Sequence, residues 1–196
     1  YMRAGKYDGW SPYLLNGTDL TGKTIGLLGG GAIGFEVASI LHFGFNCPII
    51  YNDIKENESF KEKFNAKFVD KETVLRESDI VSLHVPLMES THHLINKEAL
   101  LMMKKDAYLI NTARGPVVDE VALTEALKDG TIKGAGLDVY EFEPRVTEGL
   151  LTLDDVVLTP HIASARESVR KKMAEIVGNN LVAFFETGTA LNEVKV

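Results

Sequence analysis

The sequence predicts an α/β fold, a doubly wound parallel sheet with helices on both faces. Three observations predict it. Short runs apolar at successive positions recur along the chain, as in strands buried on both faces. Stretches with helical spacing separate them, so the crossovers are strand–helix–strand and right-handed. Polar or glycine-rich segments follow the runs, at the edge where such sheets hold their ligands.

Residues 1–22 are polar and turn-rich (Gly5, Gly9, Pro12, Asn16, Gly17, Gly22) and read as a connecting arm. The chain opens on Tyr1 rather than methionine, so a preceding segment is expected. Thr24–Leu28 is the first strand. Ile33, Val37, Ile40 and Leu41 then share one helix face. Ile49–Tyr51 is the second strand, and Lys67–Val69 a weak third. Glu72–Glu77 suits a short helix, and Ile80–Val85 is the fourth strand, stopped by Pro86. Lys97–Met103 is helical, and Tyr108–Ile110 is the fifth strand, followed by the loop Asn111–Pro116. Asp119 can cap a helix running to Lys128, with Gly130 as its left-handed stop. Ala135–Val139 and Val156–Leu158 are the last strands. Val169, Met173, Ile176, Val177, Leu181 and Phe184 mark one face of a long final helix.

Composition narrows the function. The 196 residues are 45% hydrophobic and 25% charged, enough apolar material for a core. A net charge of −7 argues against a nucleic-acid partner. No run approaches a membrane span and no signal-peptide pattern opens the chain, so the reading places it in the cytoplasm with no membrane partner. The single cysteine, Cys47, rules out a disulfide framework and fits a reducing compartment. By default it is a small apolar residue.

Gly29-Gly30-Gly31-Ala32-Ile33-Gly34 follows the first strand and reads G-x-G-x-x-G. Gly29 permits the tight turn, Gly31 lets the backbone approach a pyrophosphate, and Gly34 lets helix and strand pack closely. The helix N-terminus then faces the phosphates. Asp53 lies 19 residues beyond Gly34, at the end of the second strand. A carboxylate there accepts from the ribose hydroxyls and repels a 2′-phosphate, which favours NAD over NADP.

The other strand ends carry His84-Val85-Pro86, then Asn111-Thr112-Ala113-Arg114-Gly115-Pro116, then Asp138, Glu141 and Glu143, then Thr159-Pro160-His161-Ile162-Ala163-Ser164. A common crevice would unite them. Hydride transfer to a 2-keto acid needs a cation for the carboxylate and carbonyl, and Arg114 has the planar fork for that. It needs a proton donor that titrates near neutrality, the property of an imidazole, and His161 is the candidate. It needs an acid to orient the imidazole and favour its charged form, and Glu143 is the candidate. Singly, each also fits a plainer role: a loop salt bridge, a solvated charge, a helix-entry residue.

Other residues are weaker candidates. His92-His93 has no evident carboxylate or cysteine companion, and adjacent side chains do not easily face one ion, so no metal is assigned. His42 reads as structural, and His84 as either structural or a contact to cofactor or substrate. Trp10 and Tyr13 read as packing residues for a segment outside the chain.

From Leu20 onward the chain resembles the cofactor-binding, Rossmann-type domain of the D-isomer-specific 2-hydroxyacid dehydrogenases. The motifs are Gly22–Gly34, Asp79–Leu87, Asn111–Asp119, Gly136–Pro144 and Thr159–Ala163, in order. The resemblance implies Arg114, Glu143 and His161 as the catalytic set, with Glu143 rather than Glu141 in the catalytic position. It implies NAD contacts from Gly29, Gly31, Ala32, Ile33 and Gly34, from Asp53 at the ribose, from Val85 and Pro86 on the adenine side, from Thr112, Ala113 and Arg114, from Asp138 at the nicotinamide amide, and from His161 through Ser164. It implies a small 2-keto or 2-hydroxy acid substrate, a homodimer, and a substrate-binding lobe largely outside this chain. Residues 1–22 would come from that lobe, 23–164 would form the NAD-binding domain, and 165–196 would return toward the lobe. An NAD(H)-sensing corepressor of the same fold, or an NAD-binding fragment without turnover, fits the same motifs. Asn52 separates Tyr51 from Asp53, where the family's acid usually follows the tyrosine directly, and Cys47-Pro48 interrupts the approach to that strand.

Overall fold

A computed structural model describes residues 1–193. Seven strands form one all-parallel sheet: β1 (Ile25–Leu28), β2 (Ile49–Asn52), β3 (Lys67–Phe68), β4 (Ile80–Leu83), β5 (Tyr108–Asn111), β6 (Gly134–Leu137) and β7 (Val156–Leu158). Their spatial order is β3-β2-β1-β4-β5-β6-β7. The chain builds outward from β1 in one direction, then crosses to β4 and builds in the other. The switch between β1 and β4 opens a crevice at the carboxyl ends of the strands.

Six α-helices connect the strands or follow them: α1 (Ala32–Phe45), α2 (Glu58–Phe64), α3 (Lys71–Glu77), α4 (Lys97–Met102), α5 (Glu120–Lys128) and α6 (Glu167–Thr187). Local chemistry fixes several of their starts. Asn57, Asp70, Asn96 and Asp119 each accept a backbone N–H from the first turn of α2, α3, α4 and α5. Gly130, at φ 66°, follows α5 in the left-handed region, as its sequence position predicts. The segment Glu58–Phe64, unassigned by periodicity, is helical because Asn57 caps it and Phe60 and Phe64 reach the core.

Two cores result, one on each face. Ile25, Leu27, Ile49 and Tyr51 point toward α1 and α2, where Tyr51 stacks on Phe60 with ring centroids 4.3 Å apart. Leu28, Val81, Leu83, Leu109 and Leu137 point toward α3, α4 and α5. The inner face of α1 differs from the expected one. Its buried residues are Gly34 and Ala38, with Val37 and Leu41 only partly covered, while Ile33 and Ile40 are 69% and 62% exposed. Small residues bring α1 close to the sheet, and the larger apolar ones are displaced to its flanks.

Coverage is uneven. On the α1/α2 side, Tyr108, Ile110 and Gly136 are half-buried and Val157 is 67% exposed. Over this part of the sheet Thr18 reaches in from the N-terminal segment, with its Oγ1 2.9 Å from the Tyr108 hydroxyl and accepting from Lys133 Nζ. No residue of α6 is buried, and Trp10 and Tyr13 are open to solvent. The C-terminal residues 194–196, assigned above to the returning tail, lie outside the described residues.

Candidate active site

The glycine loop joins β1 to α1 at the switch point. Gly29 has φ 110°, and a Cβ there would lie 2.6 Å from the His84 carbonyl carbon. A Cβ at Gly34 would strike the Gly29 carbonyl, whereas one at Gly31 would meet nothing within 4 Å. The loop is therefore crowded beneath and open at Gly31, the side from which a ligand approaches. Beside it lies a cleft of about 360 Å³ lined by Gly30, Gly31, Ala32, Phe35, Glu36, Asn57 and Ser59.

Asp53 borders this cleft. Its Oδ2 accepts from Gly30 N at 2.6 Å and its Oδ1 from Ile54 N at 2.6 Å. Asn57 donates from Nδ2 to the Gly30 carbonyl at 3.1 Å, besides capping α2. The sequence reading missed Asn57; its position before Glu58-Ser59 was the available signal. Across the switch, His84 bonds through Nε2 to Ser82 Oγ at 3.0 Å, and its ring edge sits 3.6 Å from the Cβ position of Gly34. Burial depresses its pKa to about 4, so it packs as a neutral ring under the first turn of α1. Val85 is half-buried and Pro86 exposed on the loop that follows.

The loop after β5 is set by Asn111, whose Oδ1 accepts from Ala113 N and whose Nδ2 donates to the Arg114 carbonyl, both at 3.0 Å. Thr112 and Arg114 are exposed. The Arg114 guanidinium donates only to the Ala113 carbonyl and makes no ion pair among the described residues.

The loop after β7 brings His161 to Glu143, with Nδ1 3.1 Å from Oε2. Glu143 Oε1 also accepts from Tyr140 N at 3.0 Å. The imidazole contact, then the Tyr140 N–H, holds the Glu143 carboxyl below the ordinary carboxylate range. An ionised carboxylate only accepts, so the proton of this contact sits on Nδ1, and Nε2 has no hydrogen-bond partner among the described residues.

His161 stands in the left-handed region at φ 53°, and Asp138 is what holds it there. The Asp138 carbonyl accepts from His161 N; its Oδ1 accepts from Thr159 Oγ1 at 2.5 Å and Ile162 N at 2.8 Å, and its Oδ2 from Ala163 N at 2.7 Å. Burial opposes charge on this carboxyl, but these donors together with His161 outweigh it and the pKa falls. The observed partners of Asp138 are thus in the His161 loop. Ser164 continues that loop at the surface.

Arg114, Glu143 and His161 follow β5, β6 and β7, which are successive neighbours in the sheet. Neighbouring strands lie about 5 Å apart, so the loops that carry these residues leave the sheet at one edge; there Glu143 meets His161, and among the described residues Arg114 bonds to neither. Pocket-lining residues Tyr140, Glu143, Pro144, Val146, Leu158, Thr159, Pro160 and His161 enclose about 350 Å³ there.

His92 and His93 require a correction: they do have a carboxylate companion. His93 Nε2 lies 2.7 Å from Glu141 Oε1, and the three side chains place donor atoms within 4.8 Å of one another. The two rings stack at 4.1 Å with 29° between planes. Nearly parallel rings cannot both aim an in-plane lone pair at one ion, so the stack favours the His93–Glu141 bond over a cation.

Comparison with known proteins decides the family. Residues 1–163 match the family model for the D-isomer specific 2-hydroxyacid dehydrogenase, NAD binding domain. The chain belongs to this family. Relatives of the dehydrogenase domain include proteins named glyoxylate reductase: one from Thermofilum pendens is 52% identical over 185 residues, covering 93% of this chain and 54% of that protein. Another, from Pyrococcus horikoshii, is 50% identical over 188 residues, covering 94% and 56%. Among solved structures, a glyoxylate reductase from Paecilomyes thermophila superposes with a TM-score of 0.89 at 40% identity, covering 98% of this chain and 57% of that one. A D-lactate dehydrogenase with NAD+ from Lactobacillus jensenii gives 0.86 at 34%, covering 100% and 62%. The chain therefore spans little more than half the length of these dehydrogenases. As the family's NAD-binding domain, it has the features the dinucleotide needs: a turn open at Gly31, α1 opening beyond it, and a carboxylate at the end of β2.

Proposed function

We propose that this domain supplies the cofactor site and the proton-transfer machinery of an NAD-dependent oxidoreductase that interconverts small 2-keto acids and D-2-hydroxy acids. Glyoxylate and hydroxypyruvate lead the substrate candidates, because relatives at about half identity are named for glyoxylate reduction. Residues 1–22 join the domain to a substrate-binding lobe, 23–164 form the NAD-binding domain, and 165–196 return toward that lobe. Two such domains form a homodimer. The observation that carries the reading is the Glu143–His161 contact at 3.1 Å, on strand ends next to the one that carries Arg114, which has no ion-pair partner among the described residues.

NADH, when bound, supplies the hydride. Arg114 holds the substrate carboxylate and withdraws charge from the carbonyl. His161, protonated at both nitrogens, gives the Nε2 proton to the oxygen as it becomes an alcohol, and in the reverse direction takes it back. Glu143 keeps Nδ1 protonated and stabilises the charged ring. Gly31 and the first turn of α1 seat the pyrophosphate, and Asp53 accepts from the ribose hydroxyls and repels a 2′-phosphate. Thr112, Ala113, Pro86 and Ser164 line the remainder of the cofactor's path.

The test uses the dehydrogenase with the length its relatives have, given NADH and a panel of glyoxylate, hydroxypyruvate, pyruvate and phosphohydroxypyruvate. Oxidation of NADH is expected with at least one of them. His161→Ala is expected to lower kcat by about 10²- to 10⁴-fold while NADH still binds. A protein that binds NADH and reduces none of them is a sensor rather than an enzyme, and unchanged turnover in His161→Ala removes His161 from the chemistry.

A further inference from the structure

We infer that Glu120, Glu141 and His93 form a positioning unit that holds Glu143 against His161. The inference rests on the acid–base role proposed for Glu143, and it adds three residues that act through Glu143 rather than on the reacting atoms.

The segment that carries Glu143 runs from Tyr140 to Thr147, and Glu120 fastens it at two points. Glu120 opens α5 and is 3% exposed. Its Oε2 accepts from Glu141 N at 2.8 Å and its Oε1 from Thr147 N at 2.7 Å. Glu143 lies between these two anchors. The contact is reciprocal: Glu141 Oε2 accepts from Glu120 N at 3.1 Å, which also satisfies a first-turn donor of α5. The remaining Glu141 oxygen meets His93 at 2.7 Å.

His93 in turn is fixed from behind. Its backbone sits in the left-handed region at φ 49°, and its N–H donates to the Pro116 carbonyl at 2.8 Å. The loops after β4, β5 and β6 are thereby tied into one body around α5. Such a conformation is strained for a histidine and persists only where neighbours enforce it.

Two carboxylates this close, one fully buried, are a costly way to hold a loop unless each is satisfied. Here every carboxylate oxygen has a donor, and among the described residues the His93 imidazole is the only side chain bonded to them. The polar closure gives the Glu143 segment one geometry, where apolar packing would tolerate several. Displacement of a reacting group by about 1 Å can cost on the order of 100-fold in rate, so a brace of this kind acts on kcat.

The decisive variants are Glu141→Ala, which removes the contacts to His93 and Glu120, and Glu141→Gln, which keeps an oxygen for Glu120 N and a group able to bond the His93 ring. In the 196-residue chain, carboxyl-carbon NMR follows the Glu143 titration. Its midpoint, low in the parent protein, is expected to rise toward the ordinary value in Glu141→Ala and to stay low in Glu141→Gln. In the dehydrogenase of full family length, Glu141→Ala is expected to lower kcat at least tenfold with KM for NADH unchanged, and Glu141→Gln to restore most of it. His93→Asn, which tolerates the left-handed backbone but cannot reach Glu141, repeats the first pattern more mildly and decides the matter if Glu141→Ala does not fold. A Glu143 titration unmoved in Glu141→Ala, with only melting temperature lowered, overturns the inference. Because the NMR measurement needs no turnover, it stands even if no keto acid is reduced.

Discussion

His161 shows how much of this site is set by groups that do no chemistry. Its φ of 53° puts a non-glycine residue where the backbone is strained, and the Asp138 carboxylate enforces it through Thr159, Ile162 and Ala163. The result is a ring delivered to Glu143. His84 behaves oppositely: burial strips it of charge, and it serves as a neutral wedge beneath the glycine loop. This has a consequence for stability. In the unfolded chain His84 takes up a proton near its ordinary 6.5, whereas in the fold it does so only near about 4. The unfolded state therefore binds more protons between these values, and folding stability falls as pH drops through that window. The contribution is present in full above pH 6.5 and amounts to about 3 kcal/mol. Urea unfolding of the parent protein and His84→Gln at pH 7.5 and pH 4.5 should show a shallower pH dependence in the variant; parallel curves would count against a neutral buried His84. The residues involved were legible in sequence as strand-end polar groups. Their partners were not, since Asp138 and Thr159 are 21 positions apart and meet only across β6 and β7.

At the scale of elements, the β1–loop–α1 unit is the most demanding piece. Gly34 faces the Gly29 carbonyl so closely that any Cβ must move α1 or the turn. Gly34→Ala is therefore expected to weaken NADH affinity by at least tenfold in isothermal titration, with the sheet's circular dichroism retained; equal affinity would show that the close approach is not needed for binding. The glycine spacing made this unit readable, but the burial of α1 was not. Periodicity singled out Ile33 and Ile40, and both are exposed, because helix–sheet closeness selected Gly34 and Ala38 instead. The short helix α2 escaped for a related reason: its seven residues carry only Phe60 and Phe64 as a signal, and Tyr51 on β2 is what makes them core.

The whole molecule is stable where two faces are covered and loose where one is not. Strands β1 and β4 lie between helices on either side, while the α1/α2 side of β5–β7 is half-open and none of the 21 residues of α6 is buried. Opening of α6 costs little apolar burial, so its amides are expected to exchange with solvent orders of magnitude faster than those of β1 and β4. Hydrogen exchange read by mass spectrometry checks this on the 196-residue chain; protection of α6 equal to that of the strands would mean that another surface covers it in solution. The apolar stripe Met173, Ile176, Leu181 and Phe184 is the face the proposed substrate lobe would cover.

By itself, the sequence determined the alternation of strands and helices, the glycine turn after β1, and which loops carry Arg114, Glu143 and His161. Those features are local: they depend on side-chain periodicity, capping residues and backbone freedom within a few positions. Tertiary structure alone decided that β1 lies beside β4, that Glu141 meets His93 across 48 residues, and that Glu120 grips the Glu143 segment at both ends. Such contacts arise from the order in which parallel strands are laid into the sheet, and no short window of residues encodes that order.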